Sequence, residues 1–363
     1  MPISESTVIE ALSHVIDPDL GRDLVSLNMI RDVAVNGSRV SFTVVLTTPA
    51  CPLKEHLRQA CTSAIHERVD RHAEVDIKMT ANVTTRSTPE KQILPGVKNT
   101  IAVASGKGGV GKSTIAANLA VALAKKGARV GLVDTDIYGP SVPTMFGVAG
   151  ERPRVNDAQL IVPLERFGVK LLSMGFLVDS DEAVVWRGPM VTSAVRQFLE
   201  QAAWGELDYL VLDLPPGTGD IQLTLVQTIP LSGAVIVTTP QEVALADARK
   251  GVAMFRKVNV PVLGIVENMA FFTPPDLPDR KYFLFGEGGG MRLAQDLGVP
   301  LLGQIPLRQM IREASDDGLP IVLRDDLPAD SEALLAMAER VAQELSIQNA
   351  SEDVAIPLDI VYQ

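Results

Sequence analysis

The apolar residues Val8, Ile9, Leu12 and Val15 recur at three- and four-residue spacing, which predicts an amphipathic helix near the amino terminus. The stretches RDVAVNG and RVSFTVVLTT then alternate apolar with polar positions, the period of half-buried strands. A helix is expected from about Leu53 to Val69, and a last strand near HAEVDIKMTANV. A strand hairpin beside helices makes a small α+β domain, placed at residues 1–86. STPEKQILPGVKN carries two prolines, a glycine and mixed charge without periodicity, and is expected to be a linker, 87–99.

From Thr100 the rhythm changes. IAVAS, VGLVD, VKLLSM, YLVLDL, AVIVTT, VLGIVEN and LLGQIP are short unbroken apolar runs, as strands buried on both faces should be. Amphipathic segments separate most of them, such as 112–126 ending at Gly127. The expected fold is α/β, a doubly wound, mostly parallel sheet over residues 100–345, followed by a tail, 346–363.

Composition agrees with this division. At 363 residues the chain exceeds the ~250–300 that one core usually serves. A formal charge of −11 argues against nonspecific nucleic-acid binding, which needs surplus Lys and Arg, so no nucleic-acid partner is expected and any anion site must be local. The amino terminus has no basic run leading into an apolar stretch, and no apolar run approaches the ~20 residues of a membrane span. With only Cys51 and Cys61, a reducing cytoplasm is expected, with no membrane partner.

Residues 105–114 read SGKGGVGKST. Gly106, Gly111, Lys112 and Ser113 satisfy the phosphate-loop pattern, between a strand and a helix as the pattern requires. Its backbone N–H groups, from Gly106 through Lys107, Gly108, Gly109, Val110 and Gly111 to Thr114, are expected to cradle phosphate, with Lys112 reaching the outer phosphates and Ser113 ligating Mg²⁺. Asp134, Asp136 and Asp213 stand after strands, where a carboxylate holds Mg²⁺ or orients water, or caps a turn.

KGGVGKST resembles the deviant Walker A motif of the ATPase group that includes nitrogenase iron protein, MinD and ParA. The resemblance implies an ATP-hydrolysing homodimer in which Lys107 reaches the partner's nucleotide, Asp136 positions the attacking water, Asp213 is linked to Mg²⁺ and Asn268 reads adenine. The segments DTDIYGPSVPTMFG, VLDLPPGTGDIQLT, TTPQEVALADARKG, VENMAFF and FGEGGG together resemble the Mrp/ApbC (Nbp35-like) iron–sulfur cluster carriers. IDPDLGRDLVSLNMIRDV with VVLTTPACPLKEHLR resembles their MIP18-like domain. These likenesses imply a transient cluster, 4Fe-4S in such carriers, and delivery to recipient apoproteins with help from assembly proteins; ATP turnover is expected to be slow, because the sequence offers no activating residue beyond Lys107.

The chain departs from that family in one respect. Where its members carry a C-x-x-C pair after E-N-M, this sequence reads AFFTPPDLPDRKYFLFGEGGG, without cysteine. Some relatives from photosynthetic lineages also lack the pair. Cys51, expected just before a helix opening at Pro52 and close to Lys54, is the candidate Fe-S ligand, since a helix N-terminus favours the thiolate. Family resemblance also places a reactive cysteine there. Cys61 falls on the apolar face of the same helix and is expected in the core. His14, His56, His66 and His72 show no metal-ligand spacing. PPDLPD is expected to be a mobile loop, with Phe271, Phe272, Tyr282 and Phe283 as core or a docking patch. Two further readings stand beside the carrier. One is an ATP-switched adaptor that binds no cluster. The other is a MinD-like spatial regulator, disfavoured because the tail EDVAIPLDIVYQ lacks lysine and arginine.

Overall fold

Alternation along Ile30–Asn36 (β1) and Arg39–Leu46 (β2) folds them into an antiparallel hairpin, and Glu74–Ala81 (β3) joins β2 in parallel after the helix Lys54–Arg68 (α2). A computed structural model of the chain describes residues 3–85, 93–137, 139–177, 188–277 and 279–352. The described residues divide into two compact units, one of residues 3–85 with 342–352 and the other of the described residues between 93 and 341. In the first, the helix Glu5–Leu12 (α1) and α2 turn Leu12, Leu57, Cys61 and Ile65 onto Val40, Phe42 and Val44 of β2. Ser4 opens α1 with a capping box, accepting the Thr7 N–H while the Thr7 hydroxyl oxygen accepts its own N–H.

The second unit is one eight-stranded sheet. Its strands are Val97–Ser105 (β4), Val130–Asp134 (β5), Leu164–Arg166 (β6), Val169–Ser173 (β7), Leu207–Asp213 (β8), Gly233–Thr238 (β9), Val262–Phe272 (β10) and Leu301–Leu307 (β11). They lie in the order β6-β7-β5-β8-β4-β9-β10-β11, all parallel except β6 at one edge. Every residue of β5, β8 and β9 is buried, which accounts for their unbroken apolar runs. The helices Lys112–Lys125 (α3), Gly188–Glu200 (α4), Asp220–Thr228 (α5), Glu242–Lys257 (α6), Gly289–Leu297 (α7) and Gln309–Asp316 (α8) intervene between strands or follow the last.

Two features differ in extent from the sequence expectation. β4 begins at Val97, inside the segment expected as linker, because Val97 and Asn99 pair with Leu207 and Tyr209; residues 87–92 of that segment lie outside the described residues. The helix Pro328–Glu352 (α9) runs past the expected tail boundary, while the remainder of the tail, 353–363, lies outside the described residues.

Candidate functional site

β4 ends at Ser105 and α3 begins at Lys112, so the glycine-rich loop sits at the carboxyl edge of the central strand. Gly109 and Gly111 have φ of +82° and +84°, a left-handed conformation that costs glycine nothing. Gly111 is also the residue that caps α3, and a Cβ there would collide with the Asn268 amide. At Gly106 a Cβ would strike the backbone of Asp247 and Ala248 in α6. Lys107, Gly108 and Gly109 are exposed, Val110 is buried, and Ser113 and Thr114 are half-buried. A loop of this shape presents backbone N–H groups and a helix N-terminus to an anion.

Lys112 is buried, and its ammonium bonds Asp213 Oδ1 across the site, with the Ser113 hydroxyl 3.3 Å from Nζ. The Ser113 hydroxyl also lies near enough to the Asp213 carboxylate to favour its charged form. Burial pushes the Asp213 carboxyl upward, against the lowering effect of Lys112. Its Oδ2 is buried without a hydrogen-bond partner. An orphaned carboxylate oxygen beside a serine hydroxyl is a hard-oxygen donor pair that fits Mg²⁺, which takes one or two carboxylates and completes its shell with phosphate and water.

Asp134 ends β5 in register with Asp213 at the end of β8. It is fully buried and accepts the N–H of Asp136 at 3.1 Å, the N–H of Val142 at 3.3 Å and the Ser173 hydroxyl at 2.9 Å. Burial, and then the neighbouring Asp213 charge, push its carboxyl up to about 8. Of the alternatives open from sequence, the geometry therefore makes Asp134 a brace for the loop after β5. Asp136, on that loop, is buried as well. Thr135 ties the loop to the next strand, its N–H and hydroxyl both donating to the Asp213 carbonyl, at 3.0 and 2.8 Å.

Asn268, on β10, donates Nδ2–H to the Val110 carbonyl at 2.9 Å and so holds the phosphate loop from the side. Its neighbour Glu267 received no role from sequence, yet it is buried and accepts from the Gly290 N–H and from Gln304 Nε2. The available signal was a charged residue inside the apolar run VLGIVENM.

Cys51 is half-buried in the first unit. α2 begins at Lys54 with Leu53 as its cap, so Pro52 lies outside the helix, contrary to expectation. The hollow beside Cys51, lined in part by Asp17, Asp19, Thr48 and Gln343, has room of about 10 Å³, a single water's worth. Cys61 is fully buried, and desolvation pushes its thiol up to about 12. Among the described residues no group of three or more His, Cys, Asp or Glu is placed to hold a metal ion. Nor, among them, is any helix long and apolar enough to cross a membrane.

The segment after β10 folds back: Phe272 and Tyr282 exchange backbone hydrogen bonds of 2.8 and 2.7 Å, Phe271 meets Phe283 edge-on, and Lys281 lies over the Phe271 ring. Tyr282 and Phe283 remain 40% and 41% exposed, so these two are not core. Pro278, within the expected loop, lies outside the described residues.

The family model of the NUBPL iron-transfer P-loop NTPases matches residues 96–342. A second model, of an iron–sulfur cluster assembly protein, matches residues 5–78. The chain is 52% identical over 349 residues to an iron–sulfur cluster carrier protein of Synechocystis sp., covering 95% of this chain and 99% of that one. A nucleotide-binding protein from Archaeoglobus fulgidus, solved in complex with ADP, is 41% identical, with a TM-score of 0.58 over 65% of this chain and 93% of its own. The cell-division ATPase MinD of Pyrococcus furiosus, at 23% identity and a TM-score of 0.50 over 67% of this chain and 98% of its own, shares the fold.

Proposed function

The chain belongs to the family of NUBPL iron-transfer P-loop NTPases, and from that premise we propose that it is a cytoplasmic, dimeric ATPase that carries an iron–sulfur cluster as cargo to apoproteins. The observation that carries the nucleotide half is the buried Lys112–Asp213 pair with its orphaned Oδ2 and the adjacent Ser113 hydroxyl. Lys112 neutralises phosphate charge, and Ser113 and Asp213 hold Mg²⁺, which when bound shields the phosphate oxygens during transfer. Backbone N–H groups of residues 106–114 orient the phosphates, Asn268 faces the adenine, and Asp136 orients the attacking water. Lys107, exposed at the loop tip, supplies its charge to the partner's nucleotide.

For the cargo, iron needs thiolates. Cys61 is too deeply buried to ionise readily, which leaves Cys51 as the ligand from each protomer. The hollow beside it is too small for a cluster, so the cluster sits on the outward side of Cys51, and its other ligands come from the second protomer or from the recipient. An adaptor that binds no cluster is the second reading, favoured by the cysteine-free stretch 270–290.

Iron and acid-labile sulfide per dimer after anaerobic reconstitution decide between them. A carrier gives stoichiometric iron in the wild type and none in Cys51→Ala. Equal, substoichiometric iron in both leaves the adaptor.

A further inference from the structure

Three consecutive residues of β10 connect the phosphate loop to the segment that follows the Phe272–Tyr282 turn. Asn268 holds the Val110 carbonyl. Glu267 holds the start of α7 through the Gly290 N–H, and its other oxygen is fixed by Gln304 at 2.8 Å. Met269 has φ of +54°, a conformation that a residue with a side chain keeps only where its surroundings enforce it, and the register of β10 on β11 shifts between Asn268 and Phe272.

The fit leaves no slack at either end. Gly111 has no space for a Cβ beside Asn268. A Cβ at Gly290 would lie 2.7 Å from that of Glu267, and one at Gly289 would strike the Pro240 carbonyl. Close-packed interfaces switch between arrangements rather than deform smoothly. A displacement of the Val110 peptide is therefore passed along β10 to Glu267 and the first turn of α7.

We propose that Glu267, Asn268 and Met269 couple occupancy of the phosphate loop to the placement of the glycine-rich segment 286–290 and its exposed apolar neighbours Phe283, Leu284 and Met291, with Glu267 as the positioning residue. The coupling rests on nucleotide binding at the loop. Its output is a surface: Leu284 is 60% exposed and Met291 44%, so their placement changes what the protein offers to a partner.

The experiment is hydrogen exchange read by mass spectrometry on the full chain, with and without Mg²⁺ and a non-hydrolysable ATP analogue, beside a fluorescent-nucleotide titration. In the wild type the analogue alters exchange over residues 283–292 by about fivefold or more, the lower end of typical coupling. Glu267→Ala reduces that response to less than twofold with nucleotide affinity within about threefold of wild type, and Glu267→Gln, which keeps an oxygen for the Gly290 N–H, restores it. Gln304→Ala, which loosens the same carboxylate without removing it, gives an intermediate response and serves if Glu267→Ala does not fold. Nucleotide binding without any exchange change at 283–292, or a full response in both Glu267→Ala and Gln304→Ala, overturns the coupling. Failure of the wild type to bind nucleotide overturns the nucleotide reading, and the coupling with it.

Discussion

Lys112 and Asp213 are 101 residues apart in sequence and meet in the interior, at 6% and 0% side-chain exposure. A buried pair of this kind is weak evidence for stability, because desolvation offsets most of the attraction, but removing one partner strands the other. Lys112→Ala is therefore expected to abolish nucleotide binding and also to destabilise the nucleotide-free protein by about 3 kcal/mol. Lys112→Met with Asp213→Leu should recover most of that stability while binding stays lost. Urea denaturation of both variants, with a fluorescent-nucleotide titration, separates the two effects. Equal stability of Lys112→Ala and wild type would mean that the pair is not formed in solution.

At the scale of elements, the amino-terminal ends of the central strands have their own fastening. Asp208, the second residue of β8, receives Arg129 through Nε, Nη2 and the backbone N–H, while Lys98 of β4 lies 3.1 Å away. One carboxylate thereby joins β4, β8 and the entry to β5. Burial tends to raise its pKa, but the bonds from Arg129 and Lys98 outweigh this and bring it from 3.8 to about 2. A carboxyl lowered in the folded state adds stability above its unfolded pKa, and that stability is lost as pH falls from about 4 to about 2. Arg129 is half exposed, so solvent screening leaves about 1–2 kcal/mol. Asp208→Asn should cost that amount at pH 7 and little near pH 2. Denaturation midpoints at pH 7 and at pH 2.5, where most of the difference should have gone, check it. An undiminished cost at the lower pH would assign the effect to packing.

At the scale of the whole molecule, the role proposed for the second lysine in the loop needs another copy of the chain. Lys107 is exposed, whereas Lys112 is buried and paired with Asp213 of its own site. Lys107→Ala should leave nucleotide affinity within about twofold and lower turnover at least tenfold, a conservative figure for a charge supplied in trans. Mixing Lys107→Ala with Lys112→Ala should restore turnover that neither shows alone, since one keeps the nucleotide site and the other the reaching lysine. A mixture no more active than its parts rules out action across the dimer.

The phosphate loop, the strands around it and the small domain's hairpin were legible in the sequence because their causes are local. Glycine conformation, helix capping and the period of burial are properties of neighbouring residues, and they placed residues 106–114 between a strand and a helix without reference to the rest of the chain. What each charged residue does was decided by strand order, which no short stretch contains. Placing β5 and β8 side by side put Asp134 against Asp213, pushed its carboxyl up to about 8 and made it a brace for the following loop. Placing β10 two strands from β4 brought Asn268 to Val110 and left Glu267, on the next residue, facing Gly290. The small volume of the hollow beside Cys51 likewise follows from residues brought together from positions 17 to 347. Sequence determined which residues can hold phosphate, and the tertiary structure decided which of the others hold those residues in place, because burial and charge pairing depend on neighbours that the fold alone assembles.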